Sequence, residues 1–169
     1  VILTAGFRES GADGAALEQR IKQEIDSFPE MKVIGPNCVG IIVPGSNLNA
    51  SFARGMPAQG KVALVSQSGA LCTAILDWAL KEGIGLASLV SVGNMVDTGF
   101  ADLIDYLADD PSTHAVMLYI ESIVDAEKFL TAAGSLSRNK PLIALKVGRH
   151  RESAAAASSH TGALAGEDS

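Results

Sequence analysis

Apolar residues recur along the chain in two alternating rhythms. In the helical one, Leu17, Ile21, Ile25 and Phe28 fall at i, i+4, i+8 and i+11, which predicts an amphipathic helix closing near Pro29 with these four on its inner face. Leu71, Ala74, Ile75 and Trp78 repeat at i, i+3, i+4 and i+7, as do Phe100, Leu103, Ile104 and Leu107, and again Phe129, Ala132, Ala133 and Leu136. Between these helices run short, almost continuously apolar segments: Val62 to Val65, Leu86 to Val92, Ala115 to Ile120 and Leu142 to Val147. Such runs predict parallel strands covered on both faces. Val1 to Ala5 reads as a further strand, Val33-Ile34 as a short one, and the stretch from Gly35 to Arg54 as irregular.

Strand and helix alternate after Lys61, so the class is α/β, with right-handed crossovers and a doubly wound sheet. Ligands of such sheets sit at the carboxyl ends of the strands. The segment Gly55-Met56-Pro57-Ala58-Gln59-Gly60 predicts a linker between residues 1–54 and 61–169. No internal repeat of solenoid length is present, and the small-residue run around Ala154 to Ala157 reads as a loop.

Composition narrows the function. With 13 basic against 19 acidic residues the net charge is −6, which provides no positive field for a nucleic acid. No apolar run approaches the ~20 residues of a membrane helix, and no secretory signal is seen. Cys38 and Cys72 stand far apart without a Cys-x-x-Cys spacing, so neither a metal site nor a disulfide framework is expected, and a reducing cytoplasm fits best. The chain opens on a strand-like Val1 without an initiator Met and reads as a fragment.

Three motifs fail on mechanism. Gly55 to Val62 nearly matches a P-loop, but Val62 has no hydroxyl for Mg²⁺ and a strand follows where a helix is required. Val65-Ser66-Gln67-Ser68-Gly69 lacks the first Gly of a nucleophile elbow. Gly83-Ile84-Gly85 precedes a strand and lacks the third Gly of a dinucleotide fingerprint.

Four segments offer chemistry. Ser66-Gln67-Ser68-Gly69, between a strand and a helix, presents free amides and the positive end of a helix dipole to a phosphoryl group, or else Ser68 simply caps the helix. Glu121, at the end of a strand, could orient an imidazole or serve as a capping or solvated acid. His160, within Ser158-Ser159-His160-Thr161-Gly162, has only small neighbours and is expected to be free to move, whereas His114 and His150 carry weaker signals. Gly35-Pro36-Asn37-Cys38 presents an amide and a thiol after a turn. With no basic neighbour to lower the pKa of Cys38, a binding role suits Asn37 and Cys38 better than covalent catalysis.

Taken in order, Gly35-Pro36-Asn37-Cys38, Gly60 to Gly69, Tyr119-Ile120-Glu121, Lys146-Val147-Gly148-Arg149 and Ser159-His160-Thr161-Gly162, with Val90 to Thr98 also family-like, resemble the NDP-forming acyl-CoA synthetases. This is the superfamily of the succinyl-CoA synthetase α subunit and the ADP-forming acetyl-CoA synthetases. The resemblance implies that residues 1–54 are the end of a Rossmann-like CoA-binding domain and that residues 61–169 are a truncated flavodoxin-like ligase domain. It also implies a reaction in which phosphate attacks an acyl-CoA, a histidine takes the phosphoryl group, and ADP or GDP receives it. His160 matches the phosphorylated histidine, Glu121 the acid beside it, and Ser66, Gln67, Ser68 and Gly69 the phosphate-binding helix start. Thr4, Pro36, Asn37 and Cys38 match the CoA and acyl side. The implied substrates are CoA or acyl-CoA, phosphate, and ATP/ADP or GTP/GDP with Mg²⁺ on an ATP-grasp domain or β subunit outside this chain, in an oligomer. The alternative function is a CoA-binding regulatory or scaffold module of a protein acetyltransferase.

Overall fold

A computed structural model describes residues 1–148. Among them, six strands form one sheet in the order β2-β1-β4-β3-β5-β6. The strands are β1 (Gly40–Val43), β2 (Leu48–Ser51), β3 (Gln59–Ser66), β4 (Leu86–Ser91), β5 (Ala115–Ile120) and β6 (Leu142–Lys146). The helices are α1 (Ala12–Asp26), α2 (Gly69–Glu82), α3 (Phe100–Asp109) and α4 (Ala126–Leu136). β4, β3, β5 and β6 run parallel, so the strand order reverses at β3. The crevice between the carboxyl ends of β3 and β5 is therefore the topological switch point, where doubly wound sheets place their ligands.

The expected α/β class holds, and the four parallel strands lie where the apolar runs put them. Ala63 and Val65 of β3 and Val116, Leu118 and Ile120 of β5 point to one face, where they meet Phe100, Ile104 and Leu107 of α3 and Phe129, Ala132 and Leu136 of α4. Phe100 and Phe129 join the two helices edge to face, with ring centroids 6.4 Å apart and planes at 84°. Such a pair contributes about 0.5–1.5 kcal/mol beyond its buried area. On the opposite face Leu64, Leu89 and Ile42 close over Cys72 and Leu76 of α2.

Several expectations fail for physical reasons. Val1 to Ala5 joins no sheet; it lies beside residues 34–37 through Ile2 N to Ile34 O (2.9 Å) and Asn37 N to Thr4 O (2.9 Å). The stretch read as irregular holds β1 and β2, an antiparallel pair whose β1 also docks antiparallel on β4. Short strands bracketed by Gly and Pro carry too little alternation to be seen locally. Of the segment 55–60, Gln59 and Gly60 are already in β3. α1 buries Gly14, Glu18 and Ile25, leaving Leu17 and Phe28 exposed, and α2 buries Cys72, Leu76 and Ala79, leaving Trp78 exposed. β6 is not covered on both faces: Ile143 and Leu145 are exposed beside Met117, and on the other face Ala144 is exposed between half-buried Leu142 and Lys146. Among the described residues no helix is long and apolar enough to cross a membrane.

Candidate functional site

At the switch point the chain leaves β3 through Ser66-Gln67-Ser68 and enters α2. Ser66 Oγ accepts from the Ser68 amide at 3.0 Å and donates to the Ser68 carbonyl at 3.1 Å, which closes the turn from within. Ser68 Oγ caps α2 by accepting from Leu71 N at 3.3 Å. The capping reading of Ser68 is thus realised. The cap leaves the Gly69 and Ala70 amides, which have no partner within the helix, at the positive end of the dipole. Ala70 is exposed.

Gln67 ties the two strand ends together. Its amide N–H donates to the Tyr119 carbonyl at 3.1 Å, while its side-chain Oε1 accepts from the Glu121 amide at 2.7 Å and the Ser122 amide at 2.9 Å. Its Nε2 donates to Ser122 Oγ at 3.1 Å. Two segments 54 residues apart in sequence are held as one surface, and Glu121 is fixed at the crevice with 7% exposure. Burial, followed by the nearby Glu121 carboxylate, pushes the Tyr119 hydroxyl above its ordinary range.

Thr4, Pro36, Asn37 and Cys38 also come together, against the end of β4. Asn37 adopts a left-handed φ of 56° and donates its amide to the Thr4 carbonyl; Gly35-Pro36 is cis. Gly93 follows β4 with φ 56°, and a Cβ there would strike the Pro36 carbonyl, so only glycine admits this approach. Val39 N donates to Ser91 Oγ at 3.0 Å, and its side chain lies over Gly69, which joins the 36–39 segment to the start of α2. Cys38 is buried, donates its thiol to the Ile2 carbonyl at 3.3 Å, and is pushed above its ordinary pKa chiefly by burial. A protonated, enclosed thiol is a poor nucleophile.

The grouping around β4 includes residues that local sequence reading passed over: Ser91, Gly93 and Asn94. They fall within the family-like run Val90 to Thr98, and their local signal was the polar break Gly93-Asn94 directly after an apolar strand, at the edge where ligands bind. Among the described residues no cluster of His, Cys, Asp and Glu could hold a metal ion. His160, like His150, lies outside the described residues.

Comparison with known proteins follows the same outline. The chain is 49% identical over 168 residues to the ADP-forming acetate–CoA ligase of Methanocaldococcus jannaschii, covering 99% of this chain and 23% of that protein. It is 46% identical over 166 residues to the α subunit of ADP-forming acetate–CoA ligase II of Pyrococcus furiosus, covering 98% of this chain and 36% of that subunit. Among solved structures, the dinucleotide forming acetyl-coenzyme A synthetase 1 of Ca. Korarchaeum cryptofilum, in complex with phosphate and ADP, superposes with a TM-score of 0.89 at 39% identity. That match covers 98% of this chain and 36% of the other. The chain thus spans between about a quarter and a third of the length of these relatives. The succinyl-CoA ligase like flavodoxin domain matches residues 59–169, which begin at the first residue of β3 and contain the whole β3–β5 crevice. With its parallel strands, its knitted switch point and that match in agreement, the chain belongs to the family of the succinyl-CoA ligase like flavodoxin domain, as its motifs implied.

Proposed function

We propose that this chain is part of an NDP-forming acyl-CoA synthetase, interconverting acyl-CoA, phosphate and ADP or GDP with free acid, CoA and ATP or GTP. The observation that carries the reading is the Gln67 bridge, which binds the Glu121 and Ser122 backbone amides at the end of β5 to the turn that leads into α2. The ligase activity of these relatives supports this reading over the acetyltransferase module.

In the proposed reaction a phosphate oxygen attacks the thioester carbonyl carbon, the C–S bond breaks, and CoA leaves as the thiol, giving an acyl phosphate. His160, as the neutral imidazole, then attacks phosphorus; the P–O bond to the acyl group breaks and the carboxylate leaves. The phosphohistidine passes its phosphoryl group to the nucleoside diphosphate. Glu121 accepts the other imidazole N–H, which fixes the attacking nitrogen and stabilises the cation that forms. The Gly69 and Ala70 amides and the α2 dipole hold the transferred charge, while Ser66, Gln67 and Ser68 shape the turn that aims them. Thr4, Pro36, Asn37 and Cys38 line the CoA and acyl side. Residues 1–54 are the end of a CoA-binding domain whose last hairpin docks on the ligase sheet, residues 55–60 the link, and residues 61–169 the ligase domain. Mg²⁺ and the nucleotide belong to an ATP-grasp part, fused or on a β subunit, in a cytoplasmic oligomer.

Incubated with Mg²⁺ and ATP, the complete protein acquires an acid-labile phosphate that is lost in His160→Asn and strongly reduced in Glu121→Gln. An unlabelled wild type, or a labelled His160→Asn, overturns the reading.

A further inference from the structure

Outside the β3–β5 crevice, three charged groups meet beyond the end of β4, around the buried Asn94. Asn94 is 6% exposed and Glu18, on α1, 8%. One amide group serves both nearby carboxylates: Asn94 Nδ2 donates to Glu9 Oε2 at 2.6 Å and to Glu18 Oε2 at 2.7 Å. The Asn94 carbonyl accepts from the Arg8 guanidinium, which also pairs with Glu18 at 3.4 Å. Glu9 accepts in turn from the Gly6 amide at 2.7 Å and the Phe7 amide at 3.1 Å. Two carboxylates drawn together, Glu18 buried and Glu9 half-buried, are tolerated only with donors set between them. Asn94 supplies those donors, and Arg8 adds the compensating charge.

The same residue grips the acyl side. Its backbone N–H donates to the Pro36 carbonyl at 2.8 Å, and its Oδ1 accepts from Asn37 Nδ2 at 3.4 Å. Asn37 is thus held in its left-handed conformation between the Thr4 carbonyl on one side and Asn94 on the other. None of Ser66 to Ser68 bonds Asn94: they are held within their own turn, at the end of β5, and by Val92 N, which donates to the Ser66 carbonyl at 2.9 Å.

We propose that Asn94 is a positioning residue for the acyl-CoA half of the reaction, anchored on the Glu9 and Glu18 carboxylates and fixing the Pro36–Cys38 turn through Asn37. The inference rests on the synthetase reading above and goes beyond it by dividing the chain's residues between two half-reactions. One is phosphorylation of the histidine from ATP, which uses the β3–β5 crevice. The other is phosphate-dependent release of CoA from acyl-CoA, which needs the β4 side. A positioning defect lowers the second and spares the first; a general weakening of the fold lowers both.

The experiment measures both half-reactions in the complete protein, following label on His160 from Mg²⁺ and ATP, and thiol release from acetyl-CoA with inorganic phosphate. Asn94→Ala is expected to lower kcat/KM for thiol release at least about tenfold while changing histidine labelling less than about twofold. Asn94→Asp, which sets a third carboxylate against Glu9 and Glu18, is expected to show the same selective loss. Adding Glu9→Gln and Glu18→Gln to Asn94→Asp turns both facing carboxylates into amide donors toward the new carboxylate, restores both donor–acceptor pairs, and recovers thiol release. Equal losses in both half-reactions, or unimpaired thiol release in Asn94→Ala, overturn the proposal. Should Asn94→Ala fail to fold, the exchange decides: no recovery in the triple variant overturns it. A wild type that takes no label from ATP overturns the synthetase reading itself, an outcome distinct from a labelled enzyme without selectivity.

Discussion

Gln67→Met tests the link on which the crevice depends. Methionine nearly conserves volume but accepts no strong hydrogen bond, so the Glu121 and Ser122 amides lose the Oε1 acceptor that now meets them at 2.7 and 2.9 Å. A buried donor left without a partner costs about 1–3 kcal/mol. Glu121 is buried and Ser122 half-buried, so the pair sums to about 2–4 kcal/mol against the closed state of this strand end. Each ~1.4 kcal/mol is tenfold in the opening equilibrium, so amide exchange at Glu121 and Ser122 should quicken by about 30-fold or more. Hydrogen exchange read by mass spectrometry, on a peptide spanning the end of β5 in the complete protein, measures this. On the proposed mechanism, histidine labelling from ATP should slow in the same variant, because the strand end carrying Glu121 is no longer fixed. Gln67→Glu is the comparison: it keeps an acceptor for both amides, so exchange should remain slow while, on the proposed mechanism, the added charge slows phosphoryl transfer. Unchanged exchange in Gln67→Met would refute the reasoning, whatever happened to the rate.

Three further predictions concern the scaffold. Gly60→Ala would drive a Cβ into the Gly85 carbonyl where β3 and β4 begin, and should lower the thermal midpoint by the equivalent of about 1–3 kcal/mol; an unaltered melt contradicts the close approach. Cys72, enclosed in the first turn of α2, has its thiol pushed up to about 11 by burial, against the lowering from Ser66 and Ser91. It should therefore resist iodoacetamide at pH ~8 in the native protein and react once unfolded; rapid native alkylation argues against that enclosure. At Asp110 burial raises the pKa, but hydrogen bonds from Thr113 and Ser112 outweigh it and hold the carboxyl below its ordinary value of 3.8. A depressed folded pKa stabilises above the unfolded value and is lost as pH falls through the folded one. Asp110→Asn should thus lower the melting temperature at neutral pH, with the difference shrinking below about pH 4. A difference independent of pH would exclude ionisation of Asp110 as the cause.

The inner faces of α3 and α4 were legible because Phe100, Ile104, Leu107, Phe129, Ala132 and Leu136 keep the 3.6-residue rhythm that one packed face imposes. α1 and α2 were misjudged because polar and small residues take inward places: Glu18 turns in to meet Arg8 and Asn94, and Cys72 sits beneath the sheet, while Leu17 and Trp78 face outward. A hydrophobicity pattern has no means of registering a carboxylate buried because its partners are buried with it.

The sequence by itself determined the parallel strands and the polar strand ends, because both are set by residues adjacent in the chain: apolar runs, a Ser–Gly helix start, an acid after a strand. Only the tertiary structure decided that the end of β3 and the end of β5 form one surface, since the bond joining them spans 54 residues and depends on the strand order. It decided likewise that β1 and β2 close the sheet beside β4, and that Asn94 meets Glu9, Glu18 and Asn37 from three separate segments. Local periodicity encodes which side of an element faces the core; which elements become neighbours is a property of the whole chain, set by the packing of all of them at once.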